Sequence, residues 1–411
     1  MAGPQWFPGT GSGFSTFLHL FQWLVAGHRL PLGLYPYQQW HICEQATAGQ
    51  RFARCYPKTV ITMRPITLTL ALLLLLAAIF SSCEPRSADT GPGYSPEAVF
   101  EGLWEDFDLH YSGFAAQPAN WDSLYAVYRP QVGPATTELE LWLVLTGLLN
   151  ALNDEHVKLY DDEHQRSFVS GFEGAEATAA AFSLELVAQA YLQPGSVGAV
   201  NDFMLYGKSA DGKVGYLYIA ALLDEDHSCV ARALQAMGPV EALVVDLRGC
   251  VGGYDRLGGA YAAYFSDGVH HLYDAHFRSG EAHQDFAEKE AYHTYAPVEG
   301  AFNRPVVLLT DRLTISEGEI FALNMKAFDH VTHMGGTTAG ALSLVGPARF
   351  LPNGWRYEYS VQLITAPDGS TLEGIGIAPE FPLSNLPEEV AAGQDRTMEA
   401  ARQFLKDAYG I

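Results

Sequence analysis

Pro305-Val306-Val307-Leu308-Leu309-Thr310 is followed by Thr314-Ile315-Ser316-Glu317-Gly318-Glu319, and then by Ile320, Phe321, Leu323 and Phe328. The first run is apolar and β-branched, as a strand is, and the last four residues recur at roughly helical spacing. A strand, a tight turn and a helix therefore meet at Ser316. Such a turn holds a hydroxyl at the positive end of a helix, where free backbone N–H groups stabilise a developing oxyanion. The same residues also read as helix caps. Ser316 with Glu319 makes one capping box, and Thr314 with Glu317 makes a second in an overlapping register. On local sequence alone the cap outweighs catalysis, so the rest of the chain has to decide.

A second strand-and-turn unit precedes it. Val214 to Ala220 alternates like a strand and Asp224 to Met237 reads as a helix. Ala242-Leu243-Val244-Val245-Asp246-Leu247 is a short apolar run, as in a strand buried on both faces. It ends in Arg248-Gly249-Cys250-Val251-Gly252-Gly253, after which Leu257 to Phe265 resumes a helical pattern. Paired glycines at the carboxyl end of a buried strand allow close backbone approach and expose N–H groups, where open α/β sheets place ligands. An ordinary tight βα turn would look the same. After a polar, aromatic-rich insertion at about 268–303 and the Ser316 unit come Gly335-Gly336-Thr337-Thr338-Ala339-Gly340 and two strand-like stretches. These are Arg349 to Leu351 and Trp355 to Thr365, joined by the hairpin signal Pro352-Asn353-Gly354. Leu372-Glu373-Gly374-Ile375-Gly376-Ile377-Ala378-Pro379 follows, then a terminal helix from Thr397, a possible N-cap, to Tyr409.

Towards the N-terminus the pattern is helical. Val99, Leu103, Trp104, Phe107 and Tyr111 form one apolar stripe, and the Leu-rich run from Glu138 to Leu152 stops at Asn153-Asp154. His156 lies in the loop that follows. A lone His of this kind is usually structural or solvated. Asp161, Asp162, Glu163 and His164 nearby suggest a metal site only weakly, because no HExxH or CxxC spacing supports it.

The first 62 residues differ from the rest, carrying one acidic residue, Glu44, of the 47 in the chain. They read as poorly structured, or as translation from too early a start. Met63-Arg64-Pro65 then precedes an uncharged run from Ile66 to Phe80 and Ser81-Ser82-Cys83. A basic n-region, an h-region and small residues before a cut site describe a secretory signal peptide, and about fifteen apolar residues are short for a spanning helix. The Cys resembles a bacterial lipobox cysteine, which would make Cys83 an acylated mature N-terminus, followed by a Pro/Gly/Ser-rich tether. Only Cys229 and Cys250 remain in the globular part, and sequence leaves their pairing open.

Composition bounds the function. The chain has 411 residues, 48% hydrophobic and 17% charged, enough for a large core in one or two domains. A formal net charge of −23 argues against nucleic acid, whose phosphates need Lys and Arg.

Four stretches together resemble one family in order. Leu152 to Leu159 resembles its Leu-x-Asp-x-His segment, Val214 to Ile219 its Gly-Tyr-Ile strand, and Val245 to Gly253 its Asp-Leu-Arg-x-Asn-x-Gly-Gly turn. Thr314 to Glu319 resembles its Thr-x-Ser-x-x-Glu nucleophile turn, followed by a Gly-x-x-Thr-x-Gly loop at Gly335 to Gly340. The family is the C-terminal processing, or tail-specific, serine proteases. The resemblance implies an α/β fold with a crotonase/ClpP-like ββα core, an N-terminal helical subdomain and C-terminal strands. Its parts would be a doubtful extension (1–62), lipoprotein signal peptide (63–82), tether (83–96), helical subdomain (97–160), connecting region without a complete PDZ domain (161–213), protease core (214–390) and C-terminal helix (391–411).

The Ser/Lys style of the family places a lysine where this chain has Ala341, and Lys326, ten helical residues on, would lie roughly 15 Å from Ser316. The Ser/His/Glu style of tricorn-like members matches instead. It implies Ser316 as nucleophile, His156 as base, Glu373 as orienting acid, and an oxyanion hole from Gly252 or Gly253 with Glu317. Glu319 would serve the helix cap. No metal or other cofactor is implied. The partners would be a protein or peptide substrate and, through Cys83, the membrane of a bacterial cell envelope, on its periplasmic or extracellular side. Cys250 and Val251 stand where the family has Asn and Pro. That departure motivates the alternative of a non-catalytic ligand- or peptide-binding protein on the same fold, and a crotonase-like acyl-CoA enzyme is a more distant third.

Overall fold

In β6 (Ala242–Asp246), Leu243 and Val245 enter one hydrophobic cluster while Ala242 and Val244 enter another. In β9 (Val306–Thr310) the same alternation sends Val306 and Leu308 one way, Val307 and Leu309 the other. Side chains alternate across a strand, so these two are buried on both faces, and their uninterrupted apolar runs follow from that. The computed structural model describes residues 93–116, 119–171 and 174–411. The expectations for 1–62, for the signal peptide and for the Cys83 lipid site lie outside the described residues, as does most of the tether. Among the described residues no helix is long and apolar enough to cross a membrane.

In chain order, α1 (Pro96–His110), α2 (Trp121–Tyr128) and α3 (Glu138–Asn150) come first. Ser95 caps α1 by accepting the Ala98 N–H, and Thr137 and Glu140 cap α3 reciprocally. The apolar stripe of α1 buries Val99, Phe100, Leu103 and Phe107. After β1 (Lys158–Asp161) and β2 (Arg166–Val169), residues 175–191 form short helical turns. The sheet then builds from β3 (Gly198–Asn201), β4 (Met204–Lys208), β5 (Val214–Ile219), α4 (Cys229–Met237), β6 and α5 (Leu257–Ala262). β7 (His271–Phe277), β8 (Glu290–His293), β9, α6 (Glu317–Lys326) and β10 (Val331–Gly335) follow. The chain closes with β11 (Arg349–Phe350), β12 (Arg356–Glu358), β13 (Gln362–Thr365), β14 (Phe381–Pro382) and α7 (Arg396–Tyr409).

Seven strands make the central sheet in the order β14-β10-β9-β6-β5-β4-β3. From β14 to β5 all pairs are parallel, and β4 and β3 add an antiparallel edge. α4, α5 and α6 bury residues in one cluster with the sheet, and α7 in the other. The result is the α/β class expected, with the carboxyl ends of β6 and β9 side by side.

Two local expectations change, and the cysteine pairing left open by the sequence is decided. The stretch from Trp355 to Thr365 is not one strand: it breaks at Ser360, so that β12 pairs with β1 in one sheet and β13 with β7 in another. β11 pairs with β12, and Leu351, Trp355, Tyr357 and Tyr359 enter the same core as α1 and α3, from about 200 or more residues away in sequence. The N-cap of α7 is Asp395, whose side chain accepts the Met398 N–H, not Thr397. Cys229 and Cys250 are buried free thiols.

Candidate active site

Ser316 has φ 59° and ψ −127°, left of the range that non-glycine residues adopt freely. Strain of this kind costs about 1–3 kcal/mol and persists only where neighbours over-determine it. Here they do. The Asp311 carboxylate accepts the Gly249 and Leu313 N–H groups at 3.0 and 2.9 Å, and the Thr314 hydroxyl donates to the Leu247 carbonyl at 2.9 Å. Ile315 N–H donates to the Cys250 carbonyl at 3.0 Å, and Ser316 N–H to the Ala341 carbonyl at 3.0 Å. The glycine turn after β6 thus grips the nucleophile turn on one side, and the loop after β10 grips it on the other.

The two expected capping boxes resolve differently. Glu319 makes its half, accepting the Ser316 N–H at 3.2 Å, while the Glu319 N–H goes to the Ser316 backbone carbonyl at 2.8 Å. The Ser316 side chain makes no cap hydrogen bond. The Thr314–Glu317 box is not formed: Thr314 turns to Leu247, and Glu317 accepts the Gly258 N–H of α5 at 2.7 Å. The Ser316 hydroxyl is left available at a half-buried position. Glu319 does more than cap. It also accepts the Thr338 hydroxyl at 2.6 Å and the Gly340 and Ala341 N–H groups at 2.8 and 2.9 Å, tying the glycine loop to the turn. Burial nevertheless raises its pKa to about 7, and that of Glu317 to about 8.

The oxyanion donors expected from the sequence gather here. Gly252 has φ +82°, and a Cβ built on it would stand 2.7 Å from the Ser316 Cβ and 2.9 Å from the Ile315 carbonyl oxygen. Only glycine permits that approach. The Gly252 amide interacts with the buried Cys250 thiol, which burial pushes up to about 12, so it stays protonated and neutral. Among the described residues the Gly253 and Glu317 amides have no protein acceptor. Cys250 packs its sulfur beneath Gly318, where an added Cβ would meet it at 2.9 Å, and Val251 points outward.

His156 is buried beyond Asn153, a residue at φ 50°, in a turn closed by its own N–H donating to Asp154 Oδ1 at 2.8 Å. Its Nδ1 lies 3.3 Å from Ser360 Oγ, and its Nε2 has no hydrogen-bond partner among the described residues. Burial first, and the Lys158 charge second, push its pKa down to about 3, so the ring is neutral at ordinary pH. The Ser360 hydroxyl is 3.4 Å from Asp154 Oδ2, which also receives the Tyr111 O–H at 2.9 Å. Glu373 accepts the Ser343 hydroxyl at 2.5 Å and the Leu342 N–H at 3.3 Å. Burial raises it well above the usual carboxylate range, helped by the charges of Asp154 and Glu319.

The six residues therefore fall into two groups. Ser316, Gly252 and Glu317 share one turn-on-turn contact, and Gly253, next in the chain, packs against the Leu222 backbone. His156 and Glu373 border the Asp154–Ser360 cluster, and among the described residues no hydrogen bond joins Ser316 to His156 or His156 to Glu373. One ion pair bridges the base loop to the nucleophile loop: Arg312 Nη2 meets Glu155 Oε1 at 2.5 Å. Lys326 is engaged elsewhere, donating to the Ala378 carbonyl at 2.7 Å. Glu138, Asp161 and His164 do converge, with ligand atoms within 4.8 Å of one another. The Arg166 guanidinium already pairs with both carboxylates and offsets one of their two charges without a metal.

Sequence reasoning missed Ser360, Ser343 and Tyr111. Asp154 stood in plain view two residues before His156, whereas a lone Ser inside an alternating strand pattern carries no signal.

Against known proteins, the model of peptidase family S41 matches residues 213–383. No curated protein matches the chain in sequence. A solved structure of a candidate peptidase from Parabacteroides merdae is 25% identical, with a TM-score of 0.66, over 76% of this chain and 97% of that one. Mature CPAF complexed with lactacystin is 12% identical with a TM-score of 0.56, over 76% of this chain and 98% of that one. The tricorn protease is 15% identical with a TM-score of 0.50, over 76% of this chain and 37% of that one.

Proposed function

We propose, for a chain that belongs to peptidase family S41 and is a serine peptidase by that membership, that Ser316 and His156 hydrolyse peptide bonds through an acyl-enzyme. The observation that carries this reading is Ser316 itself: a strained residue with a free hydroxyl at a helix N-terminus, facing Gly252. Serine is a weak nucleophile near neutral pH and needs a base. His156 is neutral and presents an unpartnered Nε2. As Ser316 Oγ bonds to the scissile carbonyl carbon, its proton passes to Nε2, and the carbonyl π pair moves onto oxygen. The Gly253 and Glu317 amides stabilise that oxyanion, each such donor typically contributing about 3–4 kcal/mol to the transition state. The imidazolium then protonates the leaving amine, and water repeats the sequence on the ester. Its positive charge is balanced by the carboxyls beside the ring, among which Glu373 is the one that the resemblance implies.

Catalytic hydrogen bonds are commonly long or unmade in unliganded enzymes and tighten around substrate, which accounts for the missing Ser316–His156 bond. Read the other way, the same missing bond favours a non-catalytic binder on this fold. Hydrolysis of an unfolded protein by the wild type and by Ser316→Ala separates the two. Cleavage lost in the variant supports the peptidase, and cleavage equal in both, or absent from both, sinks it.

The substrates are proteins or peptides, as the family implies. The placement we propose is a bacterial cell envelope, with the chain tethered through a lipid on Cys83; the lipobox-like Ser81-Ser82-Cys83 supports it. Metabolic labelling with a palmitate analogue, lost in Cys83→Ala, tests that.

A further inference from the structure

Asp154 and Glu373 line one small cavity with Tyr111, Ser343, Ser360 and Gln362. Two carboxylates around so small a space repel each other, which favours a proton on one of them. Their donors differ. Asp154 receives the His156 N–H at 2.8 Å, the Tyr111 O–H at 2.9 Å and the Ser360 hydroxyl at 3.4 Å. Glu373 receives the Ser343 hydroxyl and one amide, the latter at a long 3.3 Å. More donors favour the anion, so the negative charge belongs on Asp154.

Resting on the Ser316–His156 reading, we propose that Asp154, acting through the Ser360 hydroxyl, is the carboxylate that positions His156, while Glu373 holds that proton as a neutral acid. His156 Nδ1–H donates to Ser360 Oγ, and the Ser360 O–H donates to Asp154 Oδ2. That fixes the tautomer whose Nε2 carries the lone pair needed to take the Ser316 proton. When the imidazolium forms, its charge is balanced by Asp154 through one hydroxyl, and no proton moves onto the carboxylate. Burial raises both carboxyls: Glu373 goes well above the usual range, with the Asp154 charge adding to it, whereas for Asp154 the His156, Tyr111 and Ser360 hydrogen bonds pull against the rise. Asp154 also accepts the backbone N–H of His156, so one carboxylate holds both the loop and the ring. The other charge that acts on the ring is that of Lys158, and the Glu155–Arg312 pair starts one residue before His156 in the chain.

The test is kcat, KM and their pH profiles for peptide hydrolysis by the full chain and four variants. Asp154→Asn is expected to lower kcat about 10³- to 10⁴-fold with KM little changed, and to move the acid limb of kcat/KM to lower pH as the imidazolium loses its counter-charge. Ser360→Ala is expected to lower kcat about 10- to 100-fold, and Ser360→Thr, which keeps the hydroxyl, to recover at least tenfold of that. Glu373→Gln, an isostere of the neutral acid, is expected to cost about tenfold or less. A Glu373→Gln loss as large as that of Asp154→Asn would overturn the assignment, as would wild-type kcat in Asp154→Asn. Should Asp154→Asn fail to fold by circular dichroism, equal rates in Ser360→Ala and Ser360→Thr would overturn it too. A wild-type protein without Ser316-dependent hydrolysis would instead defeat the reading on which this rests, an outcome visible before any of these variants is made.

Discussion

The nucleophile half of the site and the base half are held in different ways. Ser316 sits in a turn whose backbone is bonded on both sides, and whose strain is matched by Gly252, Ala341 and Glu319 within a few residues of one another in space. His156 comes from another segment, and its ring is held by one 3.3 Å contact to Ser360, itself 3.4 Å from Asp154. A nucleophile needs its geometry fixed before substrate arrives, because the oxyanion donors act only at the right distance. A base can tighten onto the nucleophile as substrate closes the site. Rigidity is therefore concentrated where misplacement costs most.

The contrast can be broken at its strongest point first. Ser316→Ala is expected to remove hydrolysis almost wholly, a loss of about 10⁶-fold in kcat, while leaving the melting temperature little changed, because alanine keeps the Cβ and with it the same backbone strain. Gly252→Ala comes next. Its methyl would stand 2.7 Å from the Ser316 Cβ at a φ of +82°, so kcat should fall about 10²- to 10³-fold together with a drop in melting temperature.

The bridge between the halves offers a gentler test. Arg312→Gln leaves Glu155 buried without its cation, and because Arg312 is partly exposed the effect is moderated by solvent. An about tenfold fall in kcat is expected, with partial recovery in the charge-swapped Glu155→Arg/Arg312→Glu protein. Steady-state kinetics with no recovery would show that the bridge does not couple the halves.

The smallest effect is on stability against pH. Glu317 has its folded pKa raised from 4.5 to about 8 by burial. Such a group contributes stability fully below its unfolded pKa, and loses it as pH rises towards the folded value, because the unfolded chain gives up its proton first. Glu317→Gln should flatten the decline in melting temperature between about pH 5 and pH 8. His156 acts in the opposite direction: with a folded pKa lowered from 6.5 to about 3, it destabilises the fold as pH falls below 6.5. It also places the acid limb of kcat/KM below the ordinary histidine range.

Legibility in the sequence followed the same divide. The nucleophile turn is local: an apolar strand, a short linker, Ser316 and Glu319, and glycines whose close approach leaves no alternative residue. The turn itself could be read from consecutive letters, although choosing nucleophile over helix cap needed the other stretches. The glycine turn after β6 was equally plain, and the effect of Cys250 there reduces to packing a neutral thiol under Gly318. The base half is assembled from far apart. Ser360 reaches His156 only because one strand-like stretch breaks between two sheets, and β12 crosses back to β1. Nothing in the alternation of residues 355–365 marks that break. The Ser112 hydroxyl and N–H, both donating to the Ser360 carbonyl, secure it in three dimensions.

An activated Ser316 nucleophile would react covalently with an electrophile shaped like its substrate, so trapping is the decisive measurement. Wild-type protein treated with a fluorophosphonate, digested and mapped by mass spectrometry should carry one adduct, on the peptide containing Ser316, with labelling lost in Ser316→Ala and slowed in Ser360→Ala. Absence of an adduct from a folded wild-type protein that hydrolyses peptides, or an adduct that survives in Ser316→Ala, would contradict the account.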